Sequence, residues 1–159
     1  MNGQPETLLL IDVQHDFLPG GALSVPQADE ILPVIERAIA SANHVVATQD
    51  WHPPDHGSFA SQQAGIAIGD MFELHGLPQV AWPDHCVQHT RGAEFAPVVD
   101  LGRVCHVVLK GTEREIDSYS GFFDNGHRRS TGLHDYLKSV GTTRLRVLGL
   151  ATDYCVKFT

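Results

Sequence analysis

The chain has 159 residues, 42% hydrophobic and 19% charged, which suits one domain with a sizeable core and excludes a disordered chain. Its net charge of −8, from 11 Lys and Arg against 19 Asp and Glu, argues against nucleic acid or an anionic membrane surface as partner. Three widely spaced cysteines, Cys86, Cys105 and Cys155, make a poor disulfide framework, and no apolar run reaches the length of a signal-peptide core or membrane span, so the expectation is a soluble cytoplasmic protein.

Leu8–Val13 is a continuous apolar run, as in a strand buried on both faces. Residues 14–26 carry Pro19-Gly20-Gly21 and read as a loop. Ile31, Ile35 and Ile39, with Ala38 and Ala42, share one helical face between Asp29 and Asn43, and Pro33 falls near the first turn. His44–Thr48 is a second strand. Residues 49–76 read as irregular loop, with a short extended piece at Gln79–Trp82. Val104–Leu109 is a third strand, followed by a long polar loop over Gly111–Gly132. Leu133–Val140 is a short helix and Arg144–Leu150 a fourth strand. Asp153 is placed to cap a helix starting near Tyr154. This alternation implies a three-layer, doubly wound α/β domain with a mainly parallel sheet and helices on both faces. Only four residues follow Cys155, too few for a helix worth forming. The expectation is therefore a single domain over 1–159 that lacks its final helix and strands.

Parallel sheets bind ligands at the carboxyl ends of their strands. There the sequence places Asp12, Asp50 with His52, Lys110 and Cys155. A lone buried cysteine is more often structural, and strand-end Asp and Lys are commonly just solvated or capped. Together they read as a general base, a cation and a nucleophile. A helix start at Cys155 and a nearby Lys110 would lower the thiol pKa, and the segment Gly149–Cys155 offers backbone N–H groups for an oxyanion. Cys86 and Cys105 are read as structural.

Asp50-Trp51-His52-Pro53 forms a second group. Pro53 favours extended geometry at His52, so Asp50 and His52 project to one side. Trp82-Pro83-Asp84-His85 repeats the chemistry further on, and His56 lies nearby. Asp with two His suits Zn, Fe or Mn with coordination positions left open. Phe17, Trp82, Tyr119 and Tyr154 lie in loops or beside the key residues, and loop placement makes Phe17 and Trp82 candidate platforms for a substrate ring. No G-x-G-x-x-G follows the first strand and no Walker motif occurs, so nucleotide-binding readings are weak.

These motifs resemble the nicotinamidase/pyrazinamidase family of isochorismatase-like cysteine hydrolases. The matching segments are Leu10-Ile11-Asp12-Val13-Gln14 with Asp16-Phe17, Thr48-Gln49-Asp50-Trp51-His52-Pro53, Trp82-Pro83-Asp84-His85-Cys86, Lys110-Gly111 leading to Tyr119-Ser120-Gly121-Phe122, and Gly149-Leu150-Ala151-Thr152-Asp153-Tyr154-Cys155-Val156. The resemblance implies a catalytic triad of Asp12, Lys110 and Cys155. It implies metal ligands Asp50, His52 and His85, with His56 similar to a further ligand in some members. Phe17, Trp82 and Tyr119 fall on ring-binding positions, with Tyr154 beside them. An oxyanion hole at the N–H groups of Ala151 and Cys155 is implied, aimed by a cis peptide at Leu150–Ala151. The implied reaction is hydrolysis of nicotinamide to nicotinate and ammonia through a cysteine thioester, with a divalent metal holding the pyridine nitrogen. Nicotinamide and pyrazinamide are the implied small-molecule substrates, and a homo-oligomer is left open. Three alternatives stand beside it: a metal-free relative acting on another small amide or ether, an inactive fragment, and a 2-His-1-carboxylate Fe(II) oxygenase, which would usually sit on an all-β barrel.

Overall fold

The central sheet owes its hydrophobic character to β1 (Glu6–Ile11) and β2 (Val45–Asp50), which are buried along nearly their whole length. In this computed structural model, which describes residues 5–159, they are flanked by β5 (Val104–Lys110) and β6 (Arg144–Gly149) in the order β5-β2-β1-β6. All three pairings are parallel, with Leu10 opposite Ala47 on one side and Leu148 on the other. Successive β1 side chains alternate between two cores. Leu8 and Leu10 pack with Ile35, Ala38 and Ile39 of α1 (Leu32–Ser41). Leu9 and Ile11 pack with Leu133 and Leu137 of α2 (Leu133–Ser139) and with Cys155. A fully buried Leu or Ile contributes roughly 1.5–3 kcal/mol, so this four-residue run is a main source of stability. The doubly wound α/β fold is observed, and its parallel sheet removes the all-β oxygenase reading.

The edges are less covered. Leu109 of β5 and Leu145 and Val147 of β6 are each more than a third exposed, and Cys105 on β5 is exposed, against its reading as a structural core cysteine.

Three local expectations need correction. The stretch read as loop contains β3 (Met71–Leu74), which forms an antiparallel hairpin with β4 (Leu77–Val80). Its two-residue turn, His75-Gly76, has φ of 47° and 84°, the doubly left-handed geometry that matches strand twist. A histidine in the first turn position hides that signal. The chain after β6 makes one widened turn over Thr152–Val156, and Asp153 provides no side-chain cap there. The peptide at Leu150–Ala151 is trans, since there is no cis peptide bond among the described residues. The chain reverses instead through Ala151 itself, held at φ 57°.

Candidate active site

Strand ends deliver the charged groups. Asp12 follows β1 directly, at φ 48° and with no exposure. The Thr48 hydroxyl donates to its Oδ1 at 2.6 Å and accepts its backbone N–H at 3.2 Å. Lys110 closes β5 and is itself 2% exposed. Its Nζ lies 2.8 Å from Asp12 Oδ2, 2.5 Å from Asp50 Oδ1, 2.9 Å from the Ser118 carbonyl and 3.5 Å from Cys155 Sγ. Acid, lysine and thiol, expected from four separate strand ends, therefore converge. Non-glycine residues with positive φ cost energy that the surroundings must supply, and Asp12 and Ala151 both sit at this edge.

The electrostatics correct one expectation. Burial pushes the Cys155 thiol well above its ordinary pKa, and Lys110 does not offset it because Asp12 and Asp50 also oppose a thiolate. The resting thiol is protonated and needs a base. Burial likewise raises the Asp12 pKa against the pull of Lys110, which makes Asp12 a better proton acceptor than an exposed aspartate. Lys110 is held firmly charged: burial opposes this, but the two carboxylates outweigh it.

The second group shares Asp50. Its Oδ2 lies 3.5 Å from His52 Nε2 and 3.8 Å from His85 Nε2. Each imidazole is fixed from behind: His52 Nδ1 is 2.8 Å from the Gly111 carbonyl and His85 Nδ1 is 2.8 Å from the Pro83 carbonyl. Carbonyls only accept, so both Nδ1 atoms carry hydrogen and both Nε2 atoms face Asp50; burial opposes a charge on His52, but Asp50 outweighs it and raises the His52 pKa. Gly111 has φ 62°, and a Cβ there would strike the His52 ring, so a glycine is required for the close approach. His52 Nε2 is buried and has no hydrogen-bond partner. One donor atom each from Asp50, His52 and His85 lies within 4.8 Å of the others. A buried imidazole nitrogen with no hydrogen-bond partner, beside a carboxylate, is what a divalent cation satisfies, so the residues fit a metal. Burial and the neighbouring His52 depress the His85 pKa to about 4, which keeps it available as a neutral ligand. Burial opposes ionisation of Asp50, but Lys110 and the histidines hold it below the usual carboxylate range.

His56 is not in that trio. Its ring lies 4.3 Å from His52, its Nδ1 meets the Ser58 hydroxyl at 2.7 Å, and it groups with His52 and Asp117. The expected aromatic residues line one cavity of about 180 Å³ that also touches Asp50, His85 and Cys155. That is small beside the ~300–1,000 Å³ of drug-sized sites. Trp82, Tyr119 and Tyr154 meet edge to face at 5.0–6.5 Å, and Phe17 packs against His85 at 5.8 Å.

Gln14 and Gln79 support the site from outside the expected site residues. Gln14, fully buried, accepts the Asp50 N–H and donates to the Asp50 carbonyl, both at 2.8 Å, pinning that residue's backbone. Gln79, from the unforeseen hairpin, donates to Asp117 Oδ2 at 3.1 Å and to the Tyr119 hydroxyl at 3.0 Å. A buried Gln just after an apolar strand was a legible signal. Gln79 and Asp117 had none.

The isochorismatase domain model matches residues 6–159. The nicotinamidase of Escherichia coli (strain K12) is 49% identical over 159 residues, covering 98% of this chain and 74% of the relative. A solved nicotinamidase/pyrazinamidase of Acinetobacter baumannii superposes with a TM-score of 0.93 at 42% identity, covering 98% of this chain and 75% of that one. The pyrazinamidase of Pyrococcus horikoshii, solved in complex with zinc, superposes at 0.75 with 38% identity, covering 96% and 74%. The chain thus spans about three quarters of the length of these proteins. The chain belongs to the isochorismatase-domain family and, within it, to the nicotinamidase/pyrazinamidase group.

Proposed function

We infer that this chain is an amidohydrolase that converts nicotinamide to nicotinate and ammonia, and that Asp12, Lys110 and Cys155 carry the reaction. The observation that carries the reading is the contact of one buried lysine with Asp12, Asp50 and Cys155 (2.5–3.5 Å), the last two of which line an aromatic cavity. Asp12 takes the thiol proton, and Cys155 attacks the carboxamide carbon. The N–H groups of Ala151 and Cys155 stabilise the resulting oxyanion. The C–N bond breaks with a proton delivered from Asp12 to the departing ammonia, leaving a thioester on Cys155. Asp12 then removes a proton from water, which attacks the thioester carbonyl and releases nicotinate and the thiol. Lys110 stays charged and offsets the negative charge that moves between Asp12 and Sγ.

Asp50, His52 and His85 would hold a divalent ion, zinc, iron or manganese, which supplies an anchor for the pyridine nitrogen when bound. Phe17, Trp82, Tyr119 and Tyr154 flank the ring. The convergence of Asp50, His52 and His85, with His52 Nε2 buried and lacking a hydrogen-bond partner, favours this over a metal-free relative. Pyrazinamide, which like nicotinamide has a ring nitrogen meta to its carboxamide, has the features to fit the same slot. No helix among the described residues is long and apolar enough to cross a membrane. The proposed reaction, release of nicotinate from nicotinamide, would serve NAD salvage, and the proposed compartment is the cytoplasm. Rapid quenching during turnover and intact-mass analysis should reveal a nicotinoyl adduct on Cys155. Turnover with no adduct at any time, and full activity in Cys155→Ala, would overturn the thioester.

A further inference from the structure

Asp16 lies outside the catalytic and metal-ligating groups, yet its carboxylate ties together the segments that carry them. Its Oδ2 accepts the backbone N–H of Cys86 at 2.7 Å. Its Oδ1 accepts the N–H of Ala22 at 3.1 Å, at the start of the loop that walls the cavity at Leu23–Pro26. Cys86 is fully buried and sits at φ 45°, a strained conformation that needs external support. Its carbonyl accepts the His52 N–H at 3.0 Å, and its N-terminal neighbour is His85. The Cys86 residue is therefore gripped by Asp16 at one end and joined to His52 at the other. On its N-terminal side the chain continues directly into His85. Gly92 packs so closely on the carboxylate that a Cβ there would overlap it. A carboxylate accepting backbone N–H groups makes stronger bonds than a neutral acceptor, and it alone offers two oxygens with no donor.

We propose that Asp16 is a positioning residue that fixes His85 relative to His52 and thereby sets the affinity of the Asp50–His52–His85 trio for a divalent cation. This rests on the reading of that trio as a metal site. Asp16→Asn keeps the volume but turns an amide NH2 against one of the two backbone N–H groups. Outer partners of metal ligands are typically worth roughly 10- to 100-fold in affinity, and a loss of that size is expected here.

The test is zinc affinity by chelator competition, on protein shown to be folded by circular dichroism. Asp84→Asn is the control: Asp84 precedes His85, is exposed and accepts only from the Ser61 hydroxyl at 2.6 Å. It removes the same charge without touching Cys86, and should leave zinc affinity unchanged. Gly92→Ala retains the carboxylate but displaces it, and should weaken zinc in the same direction as Asp16→Asn. Folded Asp16→Asn with wild-type affinity would overturn the proposal, as would an equal loss in Asp84→Asn. If Asp16→Asn does not fold, Gly92→Ala decides, and wild-type affinity in that variant overturns it. A wild-type protein that binds no zinc would overturn the metal reading and this proposal together, an outcome distinct from the others.

Discussion

The two halves of the site are equally buried but unequally complete. In the Asp12–Lys110–Cys155 half, the charges meet protein partners: Lys110 reaches two carboxylates, a carbonyl and a sulfur, and Asp12 is held by both Thr48 and Lys110. In the Asp50–His52–His85 half, each imidazole is braced from behind while its other nitrogen faces a carboxylate at 3.5–3.8 Å, and that of His52 is unpartnered. On the proposed reading, the first half is complete from protein groups alone, and the second would be completed by a cation. Asp50 belongs to both, giving Oδ1 to Lys110 and Oδ2 to the histidines, so neither half can shift without the other.

The sharpest way to break the first half is Cys155→Ala. Turnover of nicotinamide should fall on the order of 10⁴-fold or more, the scale seen when a covalent nucleophile is removed from a triad. Cys105→Ala, on the exposed edge strand, should stay near wild type, and steady-state kinetics on the pair checks both. Asp12→Asn and Lys110→Met should each cost roughly 10²-fold or more. Because they act as a unit, the double variant should lose far less than the product of the single losses. Fully multiplicative losses would show independent action.

Breaking the second half should read out differently. His52→Ala and His85→Ala should each abolish stoichiometric metal, measured by elemental analysis, and should raise KM for nicotinamide far more than for benzamide, which has no ring nitrogen. Equal effects on the two amides would remove the cation from substrate binding. The smallest effect is expected from Gln79→Leu, which frees Tyr119 and Asp117 without touching either trio. KM should rise severalfold with kcat changed less, and an unchanged KM would show that the aromatic wall holds without it.

The sequence made the first half legible because each member ends a hydrophobic strand, and a parallel sheet lines up such ends. Asp12, Lys110 and the position of Cys155 follow from that rule. The second half was legible through Asp50, His52 and Pro53, whose extended geometry is local, and through the repeat of Pro, Asp and His around His85. What braces these residues was not. The Gly111 carbonyl behind His52, the clasp of Gln14 on Asp50 and the reach of Gln79 to Tyr119 join residues 36 to 59 apart, and the last also depends on a hairpin whose turn begins with His75. The direction of the Cys155 pKa was misjudged for a related reason. Position at a turn and proximity to Lys110 are readable from sequence, but the burial that outweighs them is a property of the folded chain.

The most direct test of the central claim, a buried thiol amidase completed by a cation, is ammonia release from nicotinamide before and after treatment with a chelator. The account predicts turnover that is lost on chelation and restored by adding back a divalent metal, with Cys155→Ala inactive in every condition. Turnover unaffected by complete removal of metal, or ammonia release by Cys155→Ala, would contradict it.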